Sequence, residues 1–158
     1  MNNVLTRVFR LRPGEAGIVA VLGLLLLINA IANQVSGVVA VSGFLSEVGV
    51  PQILLVCLVD FIIIIFTSGL QSLIVDRFDR ISLLRWVLIG FAVIFVILRL
   101  MFVFHVPNWI NYSLLYLISD QQLMFFPLIF WILANDIFEV PQAKRLFPVI
   151  ASFGFVGR

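Results

Sequence analysis

The chain has 158 residues, of which 63% are hydrophobic and 11% charged, and its mean hydropathy is +1.20. Soluble domains average about 45–50% apolar and about 25% charged residues, so a soluble globular domain, a disordered segment and a disulfide scaffold are all excluded. The net charge is +2, but the ten Lys and Arg fall in short clusters between long apolar runs; they report membrane topology and not a nucleic-acid surface.

A bilayer core about 30 Å thick demands roughly 20 consecutive apolar residues as a helix, because backbone amides cannot stay unpaired in hydrocarbon. Four runs meet that demand: 15–45, 52–75, 83–104 and 110–134. The first has a rival reading as a secretory signal peptide, with Arg7 to Arg12 as its basic region and Ala30-Ile31-Ala32 as its cleavage site. Its continuation to Leu45, ahead of three further spans, favours a retained helix. A fifth run, 146–158, is too short to cross, so the sequence reads as a partial transmembrane domain that stops inside a fifth helix. The fold class expected is an all-α polytopic bundle.

The separators have turn chemistry: Gly49 and Pro51 in the first, Asp76 to Arg80 in the second, Pro107 and Asn108 in the third. Arg7, Arg10 and Arg12 precede the first span, Arg77, Arg80 and Arg85 surround the second loop, and Lys144 and Arg145 occupy the fourth. The positive-inside rule then puts the N-terminus and the second and fourth loops in the cytoplasm, in a multi-pass protein of the plasma or inner membrane. Trp86, Trp109, Tyr112 and Trp131 fall near helix ends, as interfacial aromatics do.

Ionisable groups at bilayer depth are costly and are functional candidates by default. Three are present: Asp60, Arg99 and Asp120. At 1.5 Å per residue they lie about 12, 8 and 15 Å from the outer ends of their helices. Two readings are open: a structural ion pair between helices, or a cavity-lining cluster that takes a solute or a coupling proton. Asn29, Asn33 and Ser36 share one face of the first span and are candidates for lining the same cavity or for interhelical hydrogen bonds. The fourth span carries Ser113, Tyr116, Asp120 and Gln121, then Pro127, which can kink it.

Catalysis has little to work with. The one Cys, Cys57, sits in an apolar run and reads as packing; the one His, His105, sits in a loop. No disulfide, Cys/His metal site, Walker loop, GxGxxG or GxSxG is present, so neither an enzyme nor a metal or cofactor is expected. Asp60 and Asp120 are the only carboxyls at depth, and Arg99 is offered as their counter-ion. The phenylalanines read as lipid-facing or packing residues. Ala151, Gly154 and Gly157 recur every third residue and give the fifth run a small-residue face for close helix packing.

Two loops resemble known transporters. The stretch from Ser72 to Ile81 is similar to the major facilitator superfamily signature between helices two and three, G-x-x-x-D-R-x-G-R-[RK]; Asp76, Arg77 and Arg80 match, while Ser72 and Asp79 replace glycines and Ile81 the closing base. Charges at that place would act with Lys144 and Arg145 as a cytoplasmic latch that opens as helix bundles rock. The stretch from Phe130 resembles the ATP/ADP translocase (nucleotide transporter) family, in which F-W-x-x-A-N is followed by A-K-R-[FL]-[YF]-P. Phe130, Trp131, Ala134, Asn135, Ala143, Lys144, Arg145, Phe147 and Pro148 fit it. The resemblance implies a facilitator-like carrier that exchanges a nucleotide by alternating access, without covalent chemistry. Its partners would be the lipid bilayer, the small-molecule solute and the remaining half of the polypeptide. Members that exchange ATP and ADP tend to carry a Lys-Asp pair late in the first helix, where this chain has Asn33-Gln34. That difference favours a second class, a non-transporting membrane anchor or sensor fused to soluble regulatory domains.

Overall fold

The computed structural model describes residues 15–75 and 77–157, and of Ser72, Ile74 and Val75 the backbone alone. Five α-helices follow one another, with no strand among the described residues: α1 Glu15–Glu47, α2 Val50–Val75, α3 Arg80–Val103, α4 Asn108–Ile137 and α5 Val140–Val156. The first four are long and apolar enough to cross a bilayer. With 33 residues, α1 extends about 50 Å, well beyond the roughly 30 Å of a hydrocarbon core. Only 6% of the most apolar stretch of α2, and of α3, is buried, and Leu54, Phe66 and Trp86 stand largely outside. Apolar surface on that scale is stable against lipid and not against water. The chain is a membrane protein with an all-α architecture.

Each turn has a local cause. α1 ends where Gly49 takes a φ of +103°, letting the amides of Val48 and Gly49 both return to the Phe44 carbonyl, at 2.9 and 3.2 Å. Pro51 then opens α2 in a first turn that has no use for its missing N–H. α3 begins at Arg80, three residues earlier than the apolar run, because Asp79 caps it and accepts the Ser82 amide at 3.0 Å. It closes on His105 in the left-handed region, φ 56°, with the Val106 amide reaching the Met101 carbonyl.

The fifth helix starts at Val140, not at Leu146. Glu139 and Gln142 form a capping box there and Pro141 lies in the first turn, so Lys144 and Arg145 are helical residues and not loop residues. α4 likewise runs past Ala134 to Ile137.

The chain divides into two compact units, one holding α1 up to Gln34 with everything from Ala134 onward, the other Val35–Leu133. In the first, α1 and α5 pack through small residues. A methyl group at Gly154 would touch Leu26, and one at Gly157 would lie 2.8 Å from both the Leu27 carbonyl oxygen and the Ala30 Cβ. Gly154 and Gly157 of the small-residue face thus meet α1, while Gly23 of α1 lies under the Phe153 ring.

In the second unit Ala40, Leu98 and Leu115 form a buried core joining α1, α3 and α4. Tyr112 covers Gly43 and meets Phe102 edge-on with ring centroids 5.3 Å apart. Asn108 donates to Glu47 at 2.9 Å, which puts the turn after α1 and the turn before α4 at one end of the unit.

Candidate functional site: a polar seam between two bilayer-length helices

Cys57, Asp60, Thr67 and Gln71 lie at i, i+3, i+10 and i+14 of α2, which is one face of a helix. Each of them meets α4. Cys57 Sγ is 3.6 Å from the Tyr116 hydroxyl, Gln121 donates its Nε2 to Asp60 Oδ1 at 3.4 Å, Thr67 donates to Gln121 Oε1 at 2.9 Å, and Gln71 reaches the Phe125 carbonyl at 3.5 Å. Asp60 and Gln121 are buried, 4% and 8% exposed. The Asp120 carboxyl stands beside that of Asp60.

The seam lies deep. Asp60 is ten residues from the start of α2, and Asp120 is twelve from the start of α4, so both sit about 15–18 Å along their helices. Hydrogen bonds between transmembrane helices join polar groups that lipid cannot satisfy. The arrangement can hold the helices in register, carry a proton between two carboxyls and offer acceptors to a polar solute.

Of the residues singled out in the sequence, Asp60 and Asp120 are brought together and Arg99 is not. Arg99 is exposed and has no ion pair among the described residues; neither carboxyl has one either. The reason is rotational. Leu98 is buried in the Ala40–Leu115 core, and the next residue is turned about 100° around the helix, away from it. The expected Asp/Arg pair is replaced by a carboxyl pair with a glutamine. Cys57, read as packing, lies exposed at one end of the seam, and Thr67 and Gln71 were not singled out although their spacing already placed them with Asp60.

Asn29 is buried, Asn33 and Ser36 are half-buried, and none of the three is free. Among the charges assigned to a latch, Asp76 lies outside the described residues. Arg77 is exposed; Arg80, the first residue of α3, is half-buried and engaged. Lys144 is exposed. Arg145 instead holds Glu15, the first described residue of α1, through both carboxylate oxygens at 2.8 and 2.6 Å, with Gln142 adding a contact at 3.3 Å. Glu15 was visible as a lone acid opening an apolar run, the usual place for a carboxylate at a helix N-terminus. No group of three His, Cys, Asp or Glu able to hold a metal ion occurs among the described residues. No family model matches the chain, and no curated protein or solved structure matches it.

Proposed function

We propose that the protein is a membrane transporter working by alternating access, of the facilitator-like type, and that its solute is a nucleotide. The observation that carries the first part is Asp60, a buried carboxyl at mid-depth of α2 that meets Gln121 and faces Asp120. A bundle that only had to hold together would place apolar side chains at that depth. Ionisable groups there cost several kcal/mol, and hydrogen bonds between such helices return less than about 2 kcal/mol each. The seam therefore reads as part of a solute or proton path at the midplane, where carriers of this type bind.

The nucleotide rests on the translocase-like residues Phe130, Trp131, Ala134, Asn135, Ala143, Lys144, Arg145, Phe147 and Pro148. In this reading the N-terminus, the turn bearing Arg77 and the first turns of α3 and α5 face the cytoplasm, and Arg77 and Arg80 belong to a latch between helix bundles.

The test is uptake of labelled ATP and ADP into proteoliposomes loaded with either nucleotide, with insertion verified by protease protection. Exchange is expected, and Asp60→Asn and Asp120→Asn should each lower it by about tenfold or more without changing insertion. Silence of the correctly inserted protein toward both nucleotides overturns the nucleotide reading. Unchanged exchange in both variants removes the seam from the path.

A further inference from the structure

The turn between α4 and α5 borders an open cavity of about 400 Å³ within the first unit. Its walls are Phe138, Val140, Phe147 and Pro148, and its polar groups include Asn135 and Lys144. Phe138 and Phe147 meet edge-on with centroids 6.2 Å apart and form one stiff side. Several of these residues belong to the translocase-like stretch, and they converge on this one cavity.

We propose that this cavity seats the phosphate-bearing headgroup of an anionic glycerophospholipid, with Lys144 as its counter-charge. The adjacent base, Arg145, is taken up by Glu15. Lys144 is exposed, lines the cavity and has no ion pair among the described residues, so it is the positive charge left over. The nearby acids do not line the cavity: Glu139 is engaged in the capping box of α5, and Asp136 is engaged as well.

The walls settle which phosphate. A free phosphate ion would answer the ammonium and leave four apolar side chains facing water. A lipid answers both, its phosphodiester at Lys144 and its glycerol and first methylenes against Phe138, Val140, Phe147 and Pro148. Its depth is right as well. The cavity opens at the end of a bilayer-length helix, where Ile137 and Val140 present apolar side chains outward, 40% and 69% exposed. With 30 residues α4 is about 45 Å long, enough for its end to reach past a hydrocarbon core into the headgroup layer. The inference rests on the membrane setting and is independent of what, if anything, the protein transports.

The experiment follows thermal unfolding of the full chain in a neutral detergent, titrated with dioleoylphosphatidylglycerol, with dioleoylphosphatidylcholine or with sodium phosphate. Phosphatidylglycerol should raise the unfolding temperature at concentrations where the other two do little. Lys144→Gln should weaken that response about tenfold, the loss of one charge-assisted contact. Lys144→Arg should keep it, and Arg85→Gln, on the exposed surface of α3, should match the wild type. Ala143→Trp fills the cavity and leaves the charge in place, so it should abolish the response. Equal stabilisation by phosphatidylcholine, full reproduction by phosphate alone, or a wild-type response in either Lys144→Gln or Ala143→Trp overturns the proposal.

Discussion

Thr67 donates its hydroxyl to Gln121 Oε1 at 2.9 Å, and the amide nitrogen of the same glutamine turns to Asp60 almost two helical turns away. One side chain of α4 thus bridges two levels of α2. Thr67 has a fallback, because its hydroxyl also lies 2.8 Å from the Ile63 carbonyl of its own helix. Asp60 loses a donor when Gln121 is removed. Thr67→Val should therefore cost about 0.6 kcal/mol, an average interhelical hydrogen bond, and Gln121→Leu more, about 1–2 kcal/mol. Unfolding in mixed micelles of mild detergent and dodecyl sulfate measures both, and equal losses would show that Asp60 does not depend on Gln121.

Asp79 gives a pH signature at the opposite kind of site, a solvated turn. The backbone amide of Ser82, donating at 3.0 Å, is the main cause that holds its carboxyl below the usual range, with the Ser82 side chain and the charge of Arg85 adding to it. A carboxyl lowered by folding lends stability above its unfolded pKa, about 4, and withdraws it as the pH falls through the lower folded value. Asp79→Ala should thus melt below the wild type at neutral pH, with a gap that narrows under acid conditions. Asp79→Asn keeps a capping acceptor that does not titrate, so its advantage over alanine should stay constant. Thermal unfolding followed from neutral pH downward separates the three, and a wild-type gap that ignores pH would contradict the assignment.

The depth of Asp60 and Asp120 could be read from the sequence, since 1.5 Å per residue converts position into depth. Their partner could not. Charge complementarity pointed to Arg99, but whether an arginine faces a neighbouring helix depends on rotation about its own, and that is fixed by apolar packing: Leu98 goes into the core and Arg99 goes with the outer surface. The four spans were legible because a bilayer imposes their length and composition. The start of α5 was misplaced because two bases at 144 and 145 look like a loop, although the Glu139/Gln142 box and Pro141 carried the correct signal. The α2 stripe is plain periodicity, with Thr67 and Gln71 on the helix face of Asp60.

Gly43 should be a position where size alone decides. A methyl group there would overlap the ring of Tyr112, which is itself braced edge-on by Phe102. Phe102 blocks one way out for the ring, so Gly43→Ala is expected to destabilise by about 1–3 kcal/mol, a typical cost of overpacking. The gain from alanine's better helix propensity, about 1 kcal/mol, is smaller than or comparable with that cost. Shrinking the neighbour separates the two effects: in a Tyr112→Leu background the same Gly43→Ala change should become neutral or stabilising. Losses of the same size in both backgrounds would place the clash elsewhere.

Arg145 and Glu15 are unequal partners, and the inequality is measurable. The Glu15 side chain is 11% exposed and the Arg145 side chain 26%. Arg145 freed of its partner can lean its head toward water along a flexible stem, whereas Glu15 freed of Arg145 stays in a more enclosed place, with Gln142 among its contacts. Arg145→Gln should therefore cost more than Glu15→Gln, the first about 2 kcal/mol, in the range of a hydrogen bond to a charged group. The helix dipoles act in the same direction: Glu15 in the first turn of α1 is favourably placed, and Arg145 near the start of α5 is not, so it relies on the contact. A double-mutant cycle with Glu15→Gln/Arg145→Gln should return a coupling of about 1–2 kcal/mol. Because the pair is largely shielded, that coupling should survive salt at several times the physiological level. Additive single losses, or a coupling erased by salt, would reduce the contact to an ordinary surface pair.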